Sequence, residues 1–325
     1  MYRILSFVFA LFAWSLATNA VAGVPGPLVE TDWLAKNQGK VVILDVRKDV
    51  KSFTKKPVYK KDKKTKKQKL VKVGGHIPGA RLVNYKKVRA SITVDGKKVT
   101  RMVPPKKDFE KLMKSVGLNK GDTVVIVSKG ESNGDMTMST RLYWQLKYFG
   151  HKDLAILNGG TAQWTLDKRK VSSKAAKVKK GNWVATAEDM SIFASSQDVA
   201  AAVKSKGAQL VDTRSVSLFM GTWYKSSYVH AKGHIEGAKN YPNELITKPK
   251  LPARFISSKD TRALMDSLGI DAASESITYC NSGHLASGTW FLMSEVMGNK
   301  KVKLYDGSMH QWTLEKRPTT SVTSN

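Results

Sequence analysis

The sequence predicts an α/β protein of two tandem domains, each a central, mainly parallel sheet flanked by helices. Three observations lead there. Four sequence blocks occur twice, in the same order, along the chain. Within each copy, short β-rich runs alternate with helical patterns, the arrangement of a layered fold with a parallel sheet. The chain has 325 residues and 41% apolar content, enough to bury two ordinary cores.

Residues 1–22 read as a secretory signal peptide. Arg3 is the basic start, the apolar run covers 4–16, and Ala20-Val21-Ala22 offers cleavage before Gly23. That run is too short to span a bilayer, and no later stretch is long and apolar enough, so no transmembrane segment is expected in the mature chain. The expected location is periplasmic or otherwise secreted. One cysteine, Cys280, excludes an intramolecular disulfide despite that compartment.

The first domain is expected over 23–171. Val41-Val42-Ile43-Leu44-Asp45-Val46-Arg47 reads as a strand and recurs as Gln209-Leu210-Val211-Asp212-Thr213-Arg214. Gly75-His76-Ile77-Pro78-Gly79-Ala80 recurs as Gly233-His234-Ile235-Glu236-Gly237-Ala238. Residues 112–118 recur as 264–270, and 158–166, with Trp164, as 306–314, with Trp312. Residues 124–127 read as a strand, and 109–116 and 141–149 as helices. Residues 172–188 are polar and Lys-rich at their start and read as a linker to the second domain, 189–325.

The chemistry is expected at Cys280. An apolar strand ends there, and Asn281, Ser282, Gly283, His284 and Leu285 form a tight loop before a helix that begins near Ala286. Backbone N–H groups of that loop, with the helix's positive end, would stabilise a thiolate and an anion beside it. Aligning the repeats sets Ser128 opposite Cys280, with a following loop longer by four residues. A hydroxyl without an activating base is no comparable nucleophile, so the first domain is expected to be non-catalytic.

The Asp-x-Arg strand end, the Gly-His-Ile-x-Gly-Ala segment, the cysteine loop and the terminal Gly-x-x-x-x-Trp resemble the rhodanese superfamily, in its tandem two-domain form. The resemblance implies sulfur transfer. Cys280 would take the sulfane sulfur of a small anionic donor such as thiosulfate as a persulfide, then pass it to a thiophilic acceptor such as cyanide. It implies no metal and no organic cofactor. Arg214 matches a donor-binding arginine of the family, its alternative being an ion pair with a neighbouring carboxylate. Asp212 is expected to order the loop, and His234, like His76, to be structural support, because both domains carry that histidine. His284 would supply a pH-dependent positive charge or cap the helix. The loop matches neither the basic sequence of thiosulfate-specialised members nor the Gly-Ser-Gly type of mercaptopyruvate enzymes. Ala286 stands where a Cys-x5-Arg phosphatase would carry its arginine, which argues against phosphoryl chemistry.

The net charge is +29. A chain this basic attracts anions, acidic proteins, nucleic acid or anionic lipid, and the leader argues against nucleic acid. Twelve lysines crowd residues 48–73, from Lys48 to just before Val73, interrupting the first repeat. The bland expectation is a solvated, mobile loop; the sharper one is a docking site for an acidic protein partner or an anionic lipid surface. The second domain has Phe219, Met220, Trp223, Tyr224 and Tyr228 there instead, expected to wall the site or pack between domains. Three functions stay open: a thiosulfate sulfurtransferase (or its mercaptopyruvate counterpart), a sulfane-sulfur or polysulfide carrier serving a partner protein, and a catalytically idle interaction module.

Overall fold

The computed structural model describes residues 23–186 and 188–323; the leader expected over 1–22 lies outside them. The strands of the first domain are β1 (Leu28–Val29), β2 (Val42–Arg47), β3 (Val58–Lys61), β4 (Gln68–Lys72), β5 (Arg81–Asn84), β6 (Ala90–Val94), β7 (Lys97–Met102), β8 (Val124–Val127) and β9 (Leu154–Leu157). Five of them form one parallel sheet in the order β1-β9-β8-β2-β5. The second domain repeats that order with β10 (Phe193–Ala194), β14 (Val302–Tyr305), β13 (Ser276–Tyr279), β11 (Gln209–Asp212) and β12 (Lys239–Asn240), again all parallel. The two sheets share one topology, as the repeat requires.

The helices are α1 (Thr31–Asn37), α2 (Lys106–Ser115), α3 (Asn133–Tyr148), α4 (Gly160–Leu166), α5 (Ser196–Ser205), α6 (Val216–Met220), α7 (Ser258–Ser267), α8 (Ala286–Trp290) and α9 (Ser308–Leu314). Local chemistry starts several of them. Ser132 accepts from Asp135 N–H at the head of α3, Ser257 from Asp260 N–H at α7, and Ser195 with Asp198 forms a full capping box at α5. The cap on α3 starts that helix two turns before the apolar pattern at residue 141, so the four extra residues of the first loop become helix. Beyond Trp290, α8 continues as a π-helical stretch, Phe291–Val296.

Alternation along the strands divides the core into three layers. Val42, Leu44, Val124 and Ile126 face inward together with Val211, Val302 and Leu304, so one apolar cluster spans both domains. Ile43, Val125, Leu157 and Trp164 fill the outer face of the first sheet; Leu210, Ile277, Tyr305 and Trp312 fill that of the second. Helix α3 packs on α8 in the shared middle layer, where Thr140 Oγ1 meets Ser287 Oγ at 2.8 Å and the Tyr143 and Phe291 rings lie 5.0 Å apart. The domains also clasp each other reciprocally. Val103 N–H donates to Asp306 Oδ2 at 2.6 Å, and its repeat counterpart Phe255 N–H donates to Asn158 Oδ1 at 3.0 Å.

One segment differs from the sequence expectation. Residues 48–73 are not a mobile loop: β3 and β4 pair as an antiparallel hairpin. All twelve lysines are exposed, but Leu70 and Val73 are buried against Ala162 and Leu251, and Val73 N–H donates to Glu131 Oε1. The stretch read as a linker packs on the first domain at Trp183. Trp183 is 3% exposed, packs edge-on to Phe109, and donates its indole N–H to His151 Nδ1. Among the described residues no helix is long and apolar enough to cross a membrane.

Candidate functional site

Registers Asp45↔Val127 and Asp212↔Tyr279 put Ser128 and Cys280 at the same point, one residue past the carboxyl end of a central strand. Ligands of open parallel sheets collect there. Ser128 is fully buried with its hydroxyl on Met136 Sδ, while Cys280 is a free thiol, 2% exposed.

The loop after Cys280 is held from below by α9. Met309 N–H donates to Cys280 O and His310 N–H to Asn281 O. Ser308 Oγ accepts from Cys280 N–H at 3.1 Å and from Gly283 N–H at 3.0 Å, and donates to Tyr305 O at 2.8 Å. This hydroxyl stands where the first repeat has Gly160, and Ser308 holds it there at φ +49. The expected convergence of loop N–H groups on sulfur is therefore narrower than the sequence suggested. Ser282 N–H reaches Cys280 Sγ at 3.4 Å, whereas the Gly283 amide is turned to Ser308. Gly283 needs its freedom: φ is +68, and a Cβ would lie 2.4 Å from Asp306 Oδ1 and 2.6 Å from Arg141 Nη1.

Arg214 is buried against Asp212, with Nε to Oδ1 at 2.9 Å and Nη2 to Oδ2 at 2.5 Å, and Nη2 also donates to Gly233 O. Arg47 repeats this arrangement with Asp45 and Gly75 O in the domain that has no thiol. The pair is thus part of the shared fold, and only the buried Nη1 of Arg214 is left without a partner. His234 stacks on Phe219 at 3.8 Å with Nδ1 on Phe219 O, as His76 does with Phe53. His284 lies at the loop's outer edge, its Nε2 3.1 Å from Thr137 Oγ1 of the first domain. Burial, then the charges of Arg89 and Arg141, push its imidazole down to about 3. His284 is neutral at ordinary pH and its side chain does not cap α8, contrary to both sequence expectations. Leu285 packs on the shared core; Asn281 Oδ1 is buried without a partner.

The sequence reading missed the first domain's share of the site. Tyr85, Arg89, Arg101 and Arg141 surround the loop, together with Tyr228 of the second domain. Arg141 Nη1 bonds Asp306 Oδ1 and Gly283 O. Burial pushes Tyr85 up to about 12, with Arg89 and Arg141 opposing and Cys280 and Asp306 adding. Tyr228 is also raised, by burial and then by Cys280. A cavity of about 570 Å³ opens beside the loop, lined by Lys48, Tyr85, Lys86, Arg89, Lys129 and His284 among others. Among the described residues, no group of three or more His, Cys, Asp or Glu side chains is disposed to hold a metal ion.

The geometry is that of a tandem parallel-sheet protein with one buried thiol at the end of a central strand, its loop held in part by Arg141 of the other domain. The chain belongs to the family of the rhodanese-like domain, whose model matches residues 30–167 and 195–315. It is 30% identical over 293 residues to a Mycolicibacterium smegmatis protein provisionally named a thiosulfate sulfurtransferase, covering 88% of this chain and 93% of that one. It is also 30% identical over 299 residues to the sulfur carrier protein TtuD of Thermus thermophilus, covering 89% and 94%. Among solved structures it is similar to SseA of Escherichia coli, described with the rhodanese fold of 3-mercaptopyruvate sulfotransferases. That likeness has a TM-score of 0.70 at 22% identity and covers 87% of this chain and 98% of SseA. The two relatives support sulfur transfer as the general activity, and the likeness to SseA supports the fold.

Proposed function

We propose that the protein is a sulfurtransferase that moves sulfane sulfur from thiosulfate to a thiophilic acceptor through a persulfide on Cys280. The observation that carries this reading is Cys280 itself: a free thiol at the mouth of the second sheet, with Ser282 N–H on its sulfur and arginines around its loop. The thiolate attacks the outer sulfur of thiosulfate, and sulfite leaves with the electron pair of the broken S–S bond. Cyanide or a thiolate then attacks the outer persulfide sulfur and returns Cys280 as thiolate. A buried, cation-lined site favours each step, because charge develops beside fixed donors.

A second reading, a sulfur carrier that hands its persulfide to a partner protein, is favoured by the likeness to TtuD. It gives the exposed lysines of the β3–β4 hairpin a task, docking an acidic acceptor protein. 3-Mercaptopyruvate is the alternative donor. The leader read from residues 1–22 supports action in the periplasm.

Intact mass after incubation with thiosulfate tests the function, with sulfite followed in parallel. The expected result is a gain of about 32 Da on the wild type and none on Cys280→Ser, discharged by cyanide with turnover. Gain without turnover supports the carrier. No gain sinks thiosulfate as donor.

A further inference from the structure

We propose that Arg89 and Arg101, both of the first domain, hold the sulfonate end of thiosulfate while Cys280 of the second attacks its sulfane sulfur. The inference rests on the sulfurtransferase reading above and assigns its donor site to the domain that lacks the thiol.

The arginines at the site divide into two kinds. Arg214 is neutralised by Asp212 and Arg141 by Asp306, each at 2.5 Å. Arg89 and Arg101 have no such counter-ion. Among the described residues neither guanidinium has a hydrogen-bond acceptor, and Arg89 Nε and Arg101 Nη1 are buried and unpartnered. Each lies instead on a tyrosine face, Arg89 at 4.7 Å from the Tyr85 ring centre and Arg101 at 3.7 Å from that of Tyr228. The Tyr85 ring lies 4.9 Å from that of His284, and Arg89 lines the same cavity as His284. Thr100, next to Arg101, donates to His310, whose own N–H holds Asn281 O, so the two arginines flank the cysteine loop. Partly buried guanidinium groups without an acceptor are costly unless an anion completes them.

The backbone is built to aim Arg101. The β6–β7 hairpin pairs Ala90 with Met102 and Ile92 with Val99, so Thr100 and Arg101 together oppose Ser91 as a bulge. Arg101 sits in this bulge at φ +67, a left-handed conformation that a side chain rarely adopts. Thr100 N–H donates to His310 Nε2 at 3.0 Å, which pins the bulge to α9 of the second domain.

Charge requires such a site. The step Cys280–S⁻ + ⁻S–SO₃⁻ → Cys280–S–S⁻ + SO₃²⁻ brings a dianion onto a thiolate. One S–S bond forms and one breaks, and the total charge is the same on both sides. His284 is neutral and Arg214 is already paired, so neither offers a free positive charge. Arg89 and Arg101 do, and a guanidinium fork suits two sulfonate oxygens.

The test compares two donors on the full chain: thiosulfate, and hydrogen disulfide (HSS⁻), which carries sulfane sulfur without a sulfonate. Arg89→Ala and Arg101→Ala are each expected to raise KM for thiosulfate about tenfold or more, with most Cys280 persulfide formation from HSS⁻ retained. Arg101→Lys should recover part of the loss, and unchanged thermal midpoints show that the variants are folded. Wild-type KM for thiosulfate in both Ala variants overturns the proposal. So does an equal loss with both donors, which would mean that the arginines serve the thiol rather than the sulfonate. A wild type that loads from HSS⁻ and never from thiosulfate overturns the donor reading first, and this site with it.

Discussion

Arg141 and Asp306 meet across the domain boundary, Nη1 to Oδ1 at 2.5 Å, with both side chains fully buried. The remaining carboxylate oxygen takes Val103 N–H, and Arg141 also reaches Gly283 O of the cysteine loop. Removing one partner leaves the other charge stranded. Arg141→Ala is expected to cost about 3–5 kcal/mol in urea unfolding. Pairing Arg141→Met with Asp306→Asn should cost clearly less than the sum of the single changes, a coupling that a double-mutant cycle measures.

Ser308 is the peg of the loop, since one hydroxyl serves the amides of Cys280 and Gly283. Ser308→Ala leaves both amides unmatched and is expected to lose roughly 1–3 kcal/mol per amide. Persulfide formation should slow as the loop loosens. Ser308→Gly should be the milder change by about 1 kcal/mol, because φ +49 suits glycine. Calorimetry of the two variants, with stopped-flow sulfite release, decides this.

Acid should loosen the domain interface before either sheet. His284 is held down to about 3, by burial first, against its ordinary value of 6.5. The unfolded chain therefore takes up a proton that the folded one refuses, and stability is lost as pH falls from 6.5 towards 3, by up to about 1.4 kcal/mol per pH unit. Glu295 acts in the same direction. Burial opposes its charge, but hydrogen bonds from Lys147 and Lys300 hold it near 2 against 4.5, and that stability goes as pH falls from 4.5 towards 2. Urea midpoints at pH 7.5 and pH 5 should differ less in His284→Gln than in the wild type. An unchanged difference would contradict the neutral, buried imidazole.

Leu70 is the apolar anchor of the lysine hairpin, 2% exposed among exposed neighbours. Leu70→Ala is expected to free the hairpin locally, at a cost of about 2–5 kcal/mol to its closed state. Brief trypsin treatment should then cut within residues 58–72 in the variant and spare the wild type, with the rest of the fold intact.

The strands, their repeat and the cysteine loop were legible because they are local: an apolar run, a lone Cys280, small residues, a helix. Arg214 was legible as a motif, yet the motif serves the fold in both domains, and the repeat itself held that hint in Arg47. Arg89 and Arg101 were not legible. Their place depends on a hairpin bulge and on how one domain seats against the other, which no spacing along the chain encodes. His284 was misjudged for the same reason, since its neutrality comes from its burial at the domain seam and then from Arg89 and Arg141 of the first domain.

The reciprocal clasp sets Asn158 and Asp306 in matching seats, each receiving an amide from the opposite domain. The two side chains have nearly the same shape and differ in a single group, an amide against a carboxylate. At the Asn158 end the side-chain amide has protons to give and donates to Glu30, which pairs with Arg254 of the second domain at the surface. At the Asp306 end the negative charge draws in Arg141, which in turn touches the loop of the thiol. A molecule assembled from two like halves thus has a front and a back, and the exchange of nitrogen for oxygen at one seat distinguishes them.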